Sequence, residues 1–189
     1  MYSAFIILSL PTYGEQSRQL RLEVIQTLTN WSKQHAYTFR NLYPGSHGPY
    51  QNGLGAIGPH PDTFDFPKSY LLIEGEGAYL HLNREKQEVL SSWAVTAIPF
   101  EISIIPWIEH DTDWPLEPQN TMMNFFRAPW EPAYKSSSDS AVQLRDWNDQ
   151  SIIVECYEVR HAQHNVDTAR NMLRSLLFSY SLRETFFEL

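Results

Sequence analysis

The residues best suited to chemistry or recognition cluster between Trp107 and Glu117, in the order Trp107, Ile108, Glu109, His110, Asp111, Thr112, Asp113, Trp114, Pro115, Leu116, Glu117. This stretch has two tryptophans, four carboxylates and neither lysine nor arginine. Trp130-Glu131-Pro132 repeats the combination further on. Carboxylates make short, charge-assisted hydrogen bonds to Arg and Lys, and tryptophan beside them supplies contact area at low entropic cost. The pattern therefore predicts a face for a basic protein, built from Trp107, Glu109, Asp111, Asp113, Trp114, Glu117, Trp130 and Glu131. The competing expectation makes Trp107 and Trp114 core anchors and leaves the acids merely hydrated, because tryptophan is usually well buried.

Other groupings are less specific. His161, His164 and Asp167 are spaced as a metal site at a helix start would be, and His110 with Asp111 and Asp113 offers a second nitrogen–oxygen set. Neither matches H-E-x-x-H or a known metal loop, so no metal and no cofactor are assigned. His110, His161 and His164 remain the weak candidates. Gly53-Leu54-Gly55-Ala56-Ile57-Gly58 spells G-x-G-x-x-G, but Pro59 and Pro61 follow where a helix would have to open. No basic residue stands between Arg40 and Lys68 to hold phosphate. Cys156, the single cysteine, sits among Ile and Val and reads as a buried, inert thiol. Pairs such as Asp111 with Asp113, or Glu74 with Glu76, have the composition for acid–base work. No G-x-S-x-G elbow occurs, and no catalytic residue is assigned.

The charge distribution sharpens the choice of partner. The net charge is −8 over 189 residues. Residues 1–40 carry four basic and two acidic side chains, residues 41–126 three and eleven, and residues 127–189 seven and nine. The negative excess thus lies in the middle, where it repels phosphate backbones and attracts cationic proteins. Nucleic acid is not an expected partner. The apolar run at residues 4–10 is too short for a membrane span and lacks a preceding Lys or Arg, so it reads as a first strand rather than an export signal. With one cysteine and no membrane segment, a cytoplasmic location is expected. The oligomeric state is left open.

These residues need a scaffold, and periodicity predicts one. Thr12 and Glu15 have capping-box spacing ahead of a helix to about residue 35. Leu20, Val24, Leu28 and Trp31 form its buried stripe, joined by Ile25, with Arg18, Arg21, Gln26 and Lys33 facing water. Strands are expected at 3–10, 37–42 and 101–108, with Pro106 favouring an edge or a bulge. A hairpin is expected from 69–74 and 78–83 around Gly75-Glu76-Gly77, then a short helix from Arg84 to Trp93. Ile152–Arg160 reads as a strand with Ile152, Val154, Cys156 and Glu158 on one face. A final helix capped by Asn165 carries Val166, Ala169, Leu173, Leu176 and Tyr180, with Met172 and Leu177 widening the stripe. Residues 43–68, holding five glycines and five prolines, read as a long loop, and residues 109–150 as loop-rich.

The chain is accordingly expected to be a single α+β domain over 1–189, with a mostly antiparallel sheet packed by long N-terminal and C-terminal helices. A ferredoxin-like variant is one candidate topology. The expected function is that of a non-enzymatic, acidic protein-binding domain, an inhibitor or immunity protein that blocks a basic toxin or enzyme. The alternatives are an enzyme, a hydrolase among the options, with a His/Asp site beneath loop 43–68 that draws on His47, His60, His110 or His161, and a self-assembling scaffold.

Overall fold

The computed structural model describes residues 2–10, 14–42, 68–91, 99–109, 120–126, 140–149, 151–159 and 161–187, with side chains described as far as Ser181. The chain divides into two compact units, residues 1–42 with 60–106 and residues 43–59 with 107–189. The α+β class with antiparallel strands and long first and last helices is as expected. The strands, however, form two sheets where one was expected.

The first unit runs β1 (Ala4–Ser9), α1 (Glu15–Gln34), β2 (Thr38–Asn41), β3 (Lys68–Glu74), α2 (Ala78–Ser91) and β4 (Glu101–Pro106). Its sheet has the order β2-β3-β1-β4, and every neighbouring pair is antiparallel. A ferredoxin-like variant is among the topologies compatible with this strand order. The central strands are nearly continuous apolar runs, as strands buried on both faces must be. One face brings Ala4, Ile6, Leu8, Leu71 and Ile73 against Leu20, Val24, Leu28 and Trp31 of α1 and Ala78 and Leu82 of α2. Pro106 ends the edge strand β4, where its missing N–H costs least.

Several local expectations need correction. The segment 78–83 is not the second arm of a hairpin but the first turns of α2. Alternation would have put Ala78, Leu80 and Leu82 on one face. In the helix Ala78 and Leu82 are buried four residues apart while Leu80 is exposed. Gly75 and Gly77, at φ 147 and 82, turn the chain from β3 into that helix. Arg21 is buried rather than water-facing. Glu15 is the first residue of α1, not its third; it pairs with Arg18 at 3.2 Å, and Gly14 stands at the N-cap without a side-chain bond. Thr12 lies outside the described residues.

The second unit contains β5 (Thr121–Phe126), β6 (Ala141–Asp146), β7 (Ile153–Cys156) and α3 (Ala162–Phe187). Its sheet has the order β5-β6-β7, all antiparallel. Two strands thus lie in a region expected to be loop. The last strand, expected over Ile152–Arg160, is shorter, Ile153–Cys156. Val154 and Cys156 are buried on one face of it as expected, while Ile152 and Glu158, also buried, flank it, and Tyr157 of the other expected face is buried too. Helix α3 packs on β6 and β7 through Val166, Ala169, Met172 and Leu173, whereas Tyr180 is exposed.

Asn165 is not the cap of α3. It sits inside the first turn, fully buried, and ties the sheet ends to the helix. Its Nδ2 donates to the Ser140 carbonyl at 2.8 Å and the Val159 carbonyl at 2.6 Å. Its Oδ1 accepts from the Val159 N–H at 3.2 Å and from the Cys156 thiol at 3.8 Å. Cys156 is buried, as its apolar neighbours predicted.

Candidate functional site

Two features of the described residues carry groups that could bind or react, one in each unit. The first is the β5 edge. Strand β5 pairs with β6 along one side, and no other described strand pairs with it. The register places Met123 and Phe125 opposite Leu144 and Val142, on the face that carries Cys156 and Val154. Leu144 and Val142 are buried, but Met123 and Phe125 stay exposed, Phe125 by 48%. Met122 is exposed on the opposite face, and Trp147, 56% exposed, donates its backbone N–H to the Asn120 carbonyl at 2.8 Å beside the start of β5. An edge strand with three exposed apolar side chains and no charge is the arrangement that proteins ordinarily avoid unless the edge is used.

The residues expected to form a recognition face divide unevenly. Glu109 is exposed. Trp107 is 6% exposed, so its indole is held in the interior and does not serve as a surface anchor; the core-anchor expectation holds for this residue. Asp111, Asp113, Trp114, Glu117, Trp130 and Glu131 lie outside the described residues, as do His47, His60 and His110. The set His161, His164 and Asp167 does not converge. His164 Nε2 faces the buried Glu158 carboxylate at 3.2 Å, His161 Nδ1 accepts from the His164 N–H at 3.4 Å, and Asp167 meets Gln163 and Arg170 instead.

The second feature, in the first unit, was not anticipated. His35 at the C-terminal end of α1, His81 and Glu85 on α2, Tyr37 at the start of β2 and Trp31 on α1 form one cluster. The His81 and His35 rings meet edge to face with centroids 4.4 Å apart, and Trp31 lies 4.7 Å from His35 and 5.2 Å from His81. Glu85 Oε1 is 3.0 Å from His81 Nε2, and Glu85 Oε2 is 3.6 Å from His35 Nε2. The Trp31 indole N–H donates to Glu85 Oε2 at 2.8 Å. That indole bond, supported by the two imidazoles and opposed by partial burial, holds the Glu85 carboxyl below the usual glutamate range.

The proton positions follow from what each group can do. A carboxylate only accepts, so a neutral His81 carries its proton on Nε2 toward Glu85, and the Tyr37 hydroxyl, 3.2 Å from Nδ1, donates. Close packing of Tyr37 over Gly75 helps set this geometry: a Cβ at Gly75 would overlap Tyr37 Cδ1. A sequence signal for the site did exist. His81 and Glu85 are four apart, one turn of a helix, but the strand reading of 78–83 placed them in different elements.

The structure comparison decides the fold relation. RF2 of Thermus thermophilus matches with a TM-score of 0.70 at 16% sequence identity, over 99% of this chain and 52% of RF2. The chain therefore spans about half the length of RF2, and at that identity the likeness concerns the fold alone. No family model and no curated protein matches the sequence. Among the described residues, no helix is long and apolar enough to cross a membrane.

Proposed function

We propose that this protein is a non-enzymatic binding module for a basic protein partner, and that the edge of β5, with which no described strand but β6 pairs, is part of the surface that engages it. The observation that carries the reading is an uncharged edge strand with Met122, Met123 and Phe125 exposed and Trp147 beside it. Such an edge can accept a partner strand, main-chain hydrogen bonds giving affinity and the flanking side chains giving selectivity. Methionine adapts its shape to varied surfaces, and tryptophan is a frequent hot-spot residue. The charge of −8, concentrated in residues 41–126, supports a cationic partner that is steered in over long range. The acidic stretch from Glu109 to Glu117 joins this proposal on its sequence, with Glu109 exposed. An inhibitor or immunity protein acting in the cytoplasm on a basic toxin or enzyme is the class that fits these features.

The test is the double substitution Met123→Lys with Phe125→Lys, both on one exposed face of β5. Wild-type and variant protein are used as bait in extract of the source cell, with identification by mass spectrometry and a parallel check of circular dichroism. The expected result is a basic protein held by the wild type, released by raised salt, and lost with a folded variant. Equal capture by the variant, or a captured partner without excess positive charge, overturns the reading. Light scattering at two concentrations addresses self-association: a wild-type dimer that the double substitution converts to monomer assigns the edge to a second copy instead.

A further inference from the structure

We propose that His35, His81 and Glu85 form a binding site for one divalent transition-metal ion of the zinc class. The proposal rests on the first unit alone and is independent of the binding reading. The three candidate donor atoms, one from each residue, lie within 4.8 Å of one another. Glu85 Oε1 is 3.0 Å from His81 Nε2, and its other oxygen, Oε2, is 3.6 Å from His35 Nε2. In a tetrahedral zinc site with bonds of about 2.0–2.1 Å, neighbouring ligand atoms are about 3.3 Å apart. Each histidine therefore already stands near a ligand-to-ligand distance from one oxygen of Glu85, and the three side chains close on a common ion by rotations that shorten their widest spacing, at most 4.8 Å.

Donor chemistry selects the ion. Two imidazole nitrogens with one carboxylate oxygen suit Zn²⁺, Co²⁺ or Ni²⁺, whereas Ca²⁺ and Mg²⁺ require mostly oxygen ligands. Side-chain exposures of 30% for His35, 29% for His81 and 33% for Glu85 leave an approach from solvent and room for a fourth, exchangeable ligand. His35 also stands at the C-terminal end of α1, where the helix dipole favours positive charge.

A surrounding shell of the kind metal sites use is present. The Trp31 N–H fixes one carboxylate oxygen of Glu85 at 2.8 Å. The Tyr37 hydroxyl lies 3.2 Å from His81 Nδ1. When a cation occupies Nε2, the imidazole proton moves to Nδ1 and the same hydroxyl turns from donor to acceptor, so this neighbour serves both states. Gly75 secures the Tyr37 ring, since no side chain fits beneath it. Among the described residues this is the group of three metal-ligating side chains that converges; His164 and Glu158 come together as a pair without a third.

The experiment is calorimetric titration of the chelator-treated full chain with ZnCl₂, with CoCl₂ in parallel to read the visible bands of a low-coordinate Co²⁺ site. The expected result is one equivalent of Zn²⁺ bound, weakened at least about tenfold by Glu85→Gln and by His81→Ala or His35→Ala. Tyr37→Phe should weaken it by about tenfold with the stoichiometry kept, as loss of an outer-shell partner does. Glu85→Gln keeps an oxygen for the Trp31 indole, so it decides the matter even if a histidine substitution fails to fold. His164→Ala should leave binding unchanged. Absence of binding, binding unchanged in Glu85→Gln, loss of binding in a folded His164→Ala, or equal binding of Mg²⁺ overturns the proposal.

Discussion

Replacing Asn165 by alanine should destabilise the second unit far more than an ordinary helix-surface change. The side chain is fully buried and satisfies three main-chain groups, the carbonyls of Ser140 and Val159 and the N–H of Val159. Alanine leaves all three without their partner, and each buried polar group stranded in this way costs about 1–3 kcal/mol. Because Val159 is only partly buried, water can compensate there, and the expected total is about 4 kcal/mol. For a unit of this size that corresponds to a fall in Tm of about 15–25 °C. The assay is urea and thermal unfolding followed by circular dichroism, with hydrogen exchange over residues 140–159 as the local readout. Asn165→Asp sharpens it. The new carboxylate keeps the acceptor for the Val159 N–H but faces two carbonyl oxygens, so burial and repulsion raise its pKa in the folded state. Its stability should therefore be highest below the unfolded value of about 3.9 and decline as pH rises through the folded one. A loss below about 1 kcal/mol for Asn165→Ala, with exchange over 140–159 unchanged, would refute the view that this one amide ties the sheet ends to α3.

Two further outcomes follow from the same geometry. Gly75→Ala should lower stability and displace Tyr37 from His81, because the φ of 147 disfavours a side chain and the added Cβ meets the Tyr37 ring; the His81 ring resonances in NMR spectra should shift, and unchanged resonances would count against the packing described. Asp149 Oδ1 accepts from the Ser151 hydroxyl at 2.6 Å and the Ser151 N–H at 2.9 Å, which hold its carboxyl below the ordinary aspartate value of 3.8. A depressed pKa stabilises the folded turn above the unfolded value and loses that effect as pH falls through the folded one. Ser151→Ala should raise the Asp149 pKa toward 3.8 in a carboxyl NMR titration and reduce the acid-side loss of stability.

Much of the scaffold was legible because local chemistry determines it. The apolar run at β1, the four-and-three steps of α1 and those of α3 as far as Leu173 are periodicities that tertiary context did not override; beyond Leu173 the α3 stripe opens toward solvent, with Tyr180 exposed. The burial of Cys156 was legible too, from its Ile and Val neighbours, though its contact with the Asn165 amide was not. The strand β5 was not legible: Thr-Met-Met-Asn-Phe-Phe has no alternation, because an edge strand left exposed on both faces has no pattern to impose. Strand β6 was legible in principle, with Val142 and Leu144 alternating with Gln143 and Arg145, but it was masked by the prolines and serines before it.

The order of residues along the chain by itself established its charge, the acidic middle and the first and last helices, since these depend on residue identity and on contacts within a few positions. The partition into two sheets, the interior position of Trp107 and the meeting of His35 with His81 and Glu85 were decided only by tertiary structure. His35 is separated from His81 and Glu85 by more than forty positions, and what unites them is the packing of α1 against the same sheet face as α2. No spacing along the chain encodes that juxtaposition; the burial of two apolar stripes on a common sheet creates it.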